Sequence, residues 1–159
     1  MNALAAIAAA DELGMDDFCI RQGLERFTGT DRRFEVKGKV KGFTIIDDYA
    51  HHPTEIRATL TTAKKYPHNE LWVVFQSHTY TRTKALLDEF ADALSIADHV
   101  ISAEIYPARE TDTLGMSGEV IAEKVREKGT DCYYFPTFGE IENFIMETLS
   151  DNDLLITMG

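Results

Sequence analysis

Leu71-Trp72-Val73-Val74-Phe75, followed by Gln76-Ser77-His78-Thr79-Tyr80-Thr81-Arg82-Thr83, sets the architecture of this chain. The first part is a continuous apolar run without polar alternation, the pattern of a strand covered on both faces. The second part is polar and leads to a helix from about Thr83 to Ala97, on which Leu86, Leu87, Phe90, Leu94 and Ala97 share one face. A buried strand feeding a helix is one unit of a parallel sheet, and such units come in series.

The series extends both ways. Upstream, Ile45-Ile46 leads to a helix from about Pro53 to Lys65, and proline suits a first helical position. Downstream, His99-Val100-Ile101-Ser102-Ala103 leads, after a long loop, to a helix from about Ser117 to Lys128. Cys132-Tyr133-Tyr134-Phe135 leads to a helix from about Phe138 to Leu149, where Thr137 and Glu140 have capping-box spacing and Ile141, Phe144, Ile145, Thr148 and Leu149 share a face. Asp153-Leu154-Leu155-Ile156-Thr157 is a last strand. Before the series, the Gly-punctuated run Phe34 to Gly42 and Phe43-Thr44-Ile45-Ile46 read as strand, turn and strand. Two helical stretches come first, roughly Asn2 to Leu13 and Asp16 to Phe27, with Gly14 between them and Asp16 as a cap. Thr28-Gly29-Thr30-Asp31 reads as a loop or linker. The expected fold is α/β: an open, mostly parallel Rossmann-like sheet with helices on both faces, preceded by a short helical segment and an antiparallel strand pair. The expected boundary separates residues 1–30 from residues 31–159.

Composition narrows the function. A chain of 159 residues with 44% hydrophobic content suits one globular domain with a short appendage. A net charge of -11 argues against a nucleic-acid partner, because phosphate backbones are held by basic patches. An ATP-binding protein tolerates that balance if its site is locally basic. Cys19 and Cys132 share no motif spacing, so neither a disulfide framework nor a zinc site is expected. Both thiols are expected to be buried, in a reducing cytoplasm. The apolar run Ala3 to Ala10 is too short to span a membrane and lacks a basic flank; an Ala-rich helix is the simpler reading.

In open parallel sheets, ligands bind beyond the carboxyl ends of the strands. Three strands deliver polar groups there. Asp47-Asp48-Tyr49-Ala50-His51-His52 follows Ile46, the segment Gln76 to Thr83 follows Phe75, and Glu104-Ile105-Tyr106-Pro107-Ala108-Arg109-Glu110 follows Ala103. Asp47 and Asp48 either cap the helix at Pro53 or accept ribose hydroxyls, as acidic residues do in dinucleotide folds. His51 and His52 are surface residues or rim ligands, and His51, His78 and an Asp converging on a metal is a further alternative. Arg82 is a helix-surface charge or a partner for a carboxylate or phosphate. No P-loop, Gly-x-Gly-x-x-Gly fingerprint or nucleophile elbow occurs, so a triphosphate would have to be held by another domain.

These residues carry a resemblance. Asp47-Asp48-Tyr49-Ala50-His51-His52-Pro53-Thr54-Glu55-Ile56 resembles the signature that opens the C-terminal domain of the UDP-N-acetylmuramate–L-alanine ligases, a branch of the Mur ligase family. Phe75-Gln76-Ser77-His78-Thr79-Tyr80-Thr81-Arg82-Thr83 is similar to that branch's Phe-Gln-Pro-His-x-Tyr/Phe-x-Arg-Thr segment, and Ile105-Tyr106-Pro107-Ala108-Arg109-Glu110 to its Ile-Tyr-x-Ala-Arg-Glu element. Arg32-Arg33-Phe34 resembles the Arg-Arg-Phe at the start of the domain, and Thr157-Met158-Gly159 the start of its closing Gly-Ala-Gly-Asp run. Asn2 to Ile7 resembles the helix that follows the central domain's His-Asn adenine contact.

The resemblance implies a three-domain enzyme of peptidoglycan synthesis in the cytoplasm. Residues 1–30 would be the helical tail of its central ATPase domain plus linker, and residues 31–159 its C-terminal domain. ATP, with Mg²⁺, would convert the carboxylate of UDP-N-acetylmuramate to an acyl phosphate, which the amine of L-alanine attacks. The C-terminal domain would close over the central one, and by itself would be inactive and hold no tightly bound cofactor or metal. Carried over by position, Asp48 and Asp47 would serve the ATP ribose. Tyr49, His51, His78, Arg82, Tyr106 and Arg109 would line the substrate pocket, with His51, His78 and Arg82 as positioning groups and Arg82 on the amino-acid carboxylate. Ser77 stands where many members have Pro, and Thr79 where many have Arg, which removes one possible second contact to that carboxylate. Two alternatives remain at this point: a related ligase that attaches a ready-made peptide during wall recycling, and a stand-alone nucleotide- or metal-binding module.

Overall fold

A computed structural model describes residues 2–27, 29–111 and 114–159. Thr28 of the expected linker lies outside the described residues, as do Asp112 and Thr113 of the long loop after Ala103. The chain divides into two compact units, one ending at Thr30 and one running from Asp31 to Gly159.

The first unit is a pair of helices, α1 (Asn2–Glu12) and α2 (Asp17–Arg26). Asp16 caps α2 by accepting the Cys19 amide at 3.0 Å. None of the described residues of this unit is buried, and Leu4, Leu13, Phe18 and Phe27 are exposed. A stretch this short cannot enclose a core. The same fact corrects one expectation: Cys19 is exposed, because α2 has no layer over it, whereas Cys132 is buried and desolvation pushes its thiol up to about 12.

The second unit is a six-stranded sheet of order β1-β2-β6-β3-β4-β5. β1 (Glu35–Val40) pairs antiparallel with β2 (Phe43–Asp48), with a register shift between Val36 and Gly38. β2, β6 (Leu154–Met158), β3 (Leu71–Phe75), β4 (His99–Ala103) and β5 (Asp131–Phe135) are mutually parallel. Side chains alternate across a strand, so the run at β3 feeds two cores. Leu71, Val73 and Phe75 face α3 (Pro53–Ala63), α5 (Leu87–Leu94) and α6 (Gly118–Glu127), among Ile56, Leu60, Phe90, Ile121 and Val125. Trp72 and Val74 face α7 (Phe138–Thr148), among Ile141, Ile145 and Leu149. Each such large side chain contributes roughly 1.5–3 kcal/mol by leaving water. Thus the α/β sheet, the leading strand pair and the helices on both faces are as expected.

Three details differ from the sequence pattern. β2 runs on through Asp47 and Asp48, because both pair with the end of β6 at Thr157 and Met158. β6 lies between β2 and β3, so the segments after β2 and β3 are not sheet neighbours. The single helix expected from Thr83 to Ala97 is two, α4 (Tyr80–Ala85) and α5, joined at Leu86 with φ -118° and ψ 17°. Leu86 and Leu87 are consecutive yet pack on the same core, which the break permits.

The capping box at α7 is formed in full: the Thr137 hydroxyl accepts the Glu140 amide, and the Glu140 carboxylate accepts the Thr137 amide. Thr137→Ala is expected to lower stability by about 1 kcal/mol. Urea midpoints for the two proteins test this; an unchanged midpoint would show that the box contributes nothing.

Candidate functional site

At the carboxyl end of β2, alternation sends the two aspartates to opposite faces. Asp48 shares the Ile46 face and is buried, 6% exposed. Its Oδ1 accepts the Ala50 amide at 2.8 Å and its Oδ2 the Phe34 amide at 2.8 Å. It therefore holds the turn from inside, rather than lying open at the rim. Asp47 is the outward one; it accepts Arg32 Nε at 3.1 Å and the Thr157 hydroxyl at 2.9 Å. Neither aspartate caps α3. His52 does so, its Nδ1 accepting the Thr54 amide at 3.3 Å.

Arg32 joins three parts of this corner. Besides Asp47, its Nη2 donates to the Gly159 carbonyl at 3.3 Å, and its guanidinium lies 4.7 Å from the Tyr49 ring centroid. The Tyr49 amide donates to the Arg32 carbonyl at 2.7 Å. Tyr49 meets His51 edge to face, with centroids 5.2 Å apart. His51 Nδ1 lies 3.0 Å from the Tyr49 carbonyl. A carbonyl only accepts, so Nδ1 is the donor in this contact.

The opposite wall comes from the loops after β3 and β4, which continue the parallel pairing past the strand ends. The Tyr106 amide donates to the Ser77 carbonyl at 2.9 Å, and the Thr79 amide to the Tyr106 carbonyl at 2.8 Å. The bridge sets the His78 and Tyr106 rings 5.4 Å apart. His78 Nδ1 is shielded from solvent and has no hydrogen-bond partner. Thr79 sits at φ 67° and ψ 142°, costly for a β-branched residue, and the Thr83 hydroxyl donating to its carbonyl at 2.6 Å holds it there. Below the loops, Glu104 accepts the amides of Ile105 and Gly118 and the Tyr134 hydroxyl at 2.5 Å, a bond that pushes the phenol up to about 12. Gly118 is required at that joint, since an added Cβ would lie 2.3 Å from the Ala103 carbonyl oxygen.

The walls enclose a cleft of about 450 Å³ lined by Arg32, Tyr49, His51, Gln76, His78, Arg82, Tyr106 and Gly159. No acidic side chain lines it; Arg32 is paired with Asp47 just outside, and the guanidinium of Arg82 makes it locally positive in an acidic chain. Arg82, in the first turn of α4, has no carboxylate partner among the described residues, in contrast to Arg32 and Arg126. A neighbouring groove of about 490 Å³ shares Arg32, Gln76 and Gly159 but is walled mainly by apolar residues such as Phe43, Ile45, Val74 and Ile141. Charged and imidazole groups converge in the cleft, not in that groove.

Five of the expected residues thus come together: Tyr49, His51, His78, Arg82 and Tyr106. Asp47 stands just outside, bound to Arg32, and Asp48 is turned inward. Arg109 is exposed and does not line the cleft, because the loop has turned away beyond its bridge at Tyr106. Among the described residues no three His, Cys, Asp or Glu side chains group as a metal would need, so His51, His78 and an aspartate do not converge. Gln76, Arg32 and Gly159 also line the cleft, though no site role for them was expected from the sequence. All three stand in segments already noted, and Gly159 reaches the cleft because β6 inserts between β2 and β3.

Comparisons with known proteins identify the family and agree with the fold. Residues 32–159 match the family model for the Mur ligase, glutamate ligase domain. The chain is 60% identical over 158 residues, 99% of its length, to a UDP-N-acetylmuramate–L-alanine ligase of Agathobacter rectalis, and 49% identical over 159 residues to one of Clostridium botulinum. It spans about a third of the length of these relatives, 34% and 35%. Among solved structures, it is similar to a UDP-N-acetylmuramate–alanine ligase of Thermotoga maritima, with TM-score 0.77 and 35% identity over 99% of this chain and 33% of that one. It is also similar to a murein peptide ligase of Psychrobacter arcticus, with TM-score 0.76 and 30% identity over the same shares.

Proposed function

The chain belongs to the Mur ligase family, as its glutamate ligase domain, and on that footing we propose that it is the C-terminal domain of an ATP-dependent ligase joining L-alanine to UDP-N-acetylmuramate in the cytoplasm. Its partner is the central ATPase domain of the same protein, and residues 1–30 are that domain's last helices and the linker. Their exposed apolar side chains, Leu4, Leu13, Phe18 and Phe27, suit a surface completed by another layer.

The observation that carries the proposal is the cationic cleft with an unpaired Arg82. Arg82 takes the carboxylate of the amino acid, and Tyr49, His51, His78 and Tyr106 line the space its amine and side chain occupy. Asp47, at the edge of the cleft, is the carboxylate on the ribose side, and Asp48, turned inward, holds the turn behind it through the Phe34 and Ala50 amides. ATP and Mg²⁺ supply the activation of the muramoyl carboxylate to an acyl phosphate, on a P-loop outside this chain. What these residues add is orientation of the amine and exclusion of water from a hydrolysable intermediate.

The test is phosphate release by the full-length protein given ATP, Mg²⁺ and UDP-N-acetylmuramate. Release is expected to depend on L-alanine, and the 159-residue chain alone is expected to show none. Alanine-independent release, strong preference for a preformed peptide, or activity in the isolated chain would overturn the proposal. A peptide preference would instead identify the recycling ligase.

A further inference from the structure

Glu110 lies on the loop after β4 and does not line the cleft. Its carboxylate reaches back to α4, where one oxygen accepts the Thr81 amide at 2.9 Å and the other takes a short bond from the Thr81 hydroxyl. α4 needs that help. Its N-cap Thr79, at φ 67°, makes no side-chain cap bond, and a six-residue helix leaves most first-turn amides without partners. The Thr81 bonds hold the Glu110 carboxyl below the usual carboxylate range, and the nearby His78 adds to the shift. The near end of the same loop is fixed by the main-chain bonds of Tyr106 to Ser77 and Thr79. The Arg82 side chain, one residue beyond Thr81, has no hydrogen-bond or ion-pair partner among the described residues, so its aim depends on how α4 is held.

We propose that Glu110 is a positioning residue for the amino-acid pocket: by tying the middle of the β4 loop to the first turn of α4, it fixes Arg82 and Tyr106 together on the wall that the loops after β3 and β4 form. The proposal rests on the ligase function above. Glu110 touches no substrate and acts through Thr81.

Two measurements test it. In the full-length enzyme, Glu110→Ala is expected to raise the KM for the amino acid roughly tenfold, a loss the size of one hydrogen bond to a charged group. The KM for ATP should stay within about twofold, and the melting temperature within about 2 °C, as for a half-buried substitution outside the core. Glu110→Gln keeps an acceptor for the Thr81 amide and should recover most of the loss. In the 159-residue chain, Glu110→Ala should move the NMR resonances of the Thr81 amide and the Arg82 side chain. Static resonances would remove the tether and overturn the proposal, whatever the activity. An unchanged amino-acid KM, or a parallel fall in every parameter together with the melting temperature, would overturn it as well. A wild-type enzyme that uses no amino acid sinks the ligase function instead, and the NMR result still decides whether the tether exists.

Discussion

Arg82→Ala in the full-length protein is expected to lower kcat/KM for the amino acid by roughly thirtyfold to a few thousandfold. Removing one partner of a desolvated, hydrogen-bonded charge pair costs roughly 2–5 kcal/mol, and each 1.4 kcal/mol is a factor of about ten. The loss should be specific. Arg82 bonds to no other side chain among the described residues, so the fold has little to lose, and KM for ATP and for the UDP-sugar should stay near wild type. Arg82→Lys should recover only part, since an ammonium cannot grip a carboxylate with two parallel donors. Steady-state kinetics with each substrate varied in turn is the check. An equal rise in the KM of ATP would move Arg82 to the nucleotide instead.

Phe75→Ala should have the largest effect on stability, roughly 3–5 kcal/mol. Phe75 is fully buried at the end of β3, with its ring centroid 5.2 Å from that of Phe90 on α5. The cavity left behind would lie directly under Gln76, which donates its amide to the Met158 carbonyl at 3.1 Å and its side-chain amide to the Glu104 carbonyl at 2.9 Å. The cleft floor should loosen along with the core. A lowered urea midpoint and a melting temperature lower by about 10–20 °C are expected; a loss under about 1 kcal/mol would show that the core closes over the gap.

Much of the fold can be read along the chain because β3, β4 and β6 are covered on both faces, so their apolar runs are near-continuous and the helices between them carry clear stripes. Pairing order cannot be read this way: no local pattern tells that β6 enters between β2 and β3, and with it Gly159 joins the cleft. The two aspartates were half legible. Period-two alternation from buried Ile46 puts Asp48 inside and Asp47 outside, once β2 is known to extend that far. Arg109 shows the limit of a motif. It shares a short segment with Tyr106, but one lines the cleft and the other is exposed, because the loop turns after the bridge. The contact of Glu110 was not legible for the opposite reason: its partner, Thr81, belongs to another strand–helix unit, and only the fold brings them together.

The outermost strand has a consequence of its own. β1 pairs only with β2, so its far side presents unsatisfied amides and carbonyls, the template on which open sheets polymerise. Here that side is guarded. Lys37 and Lys39 flank Gly38, where the register slips, and exposed Val36 and Val40 are set among them. An approaching strand would lose its ladder at the slip and meet like charges on either side of it. The protein should therefore stay dispersed at concentrations where a flat, uncharged edge would seed fibres.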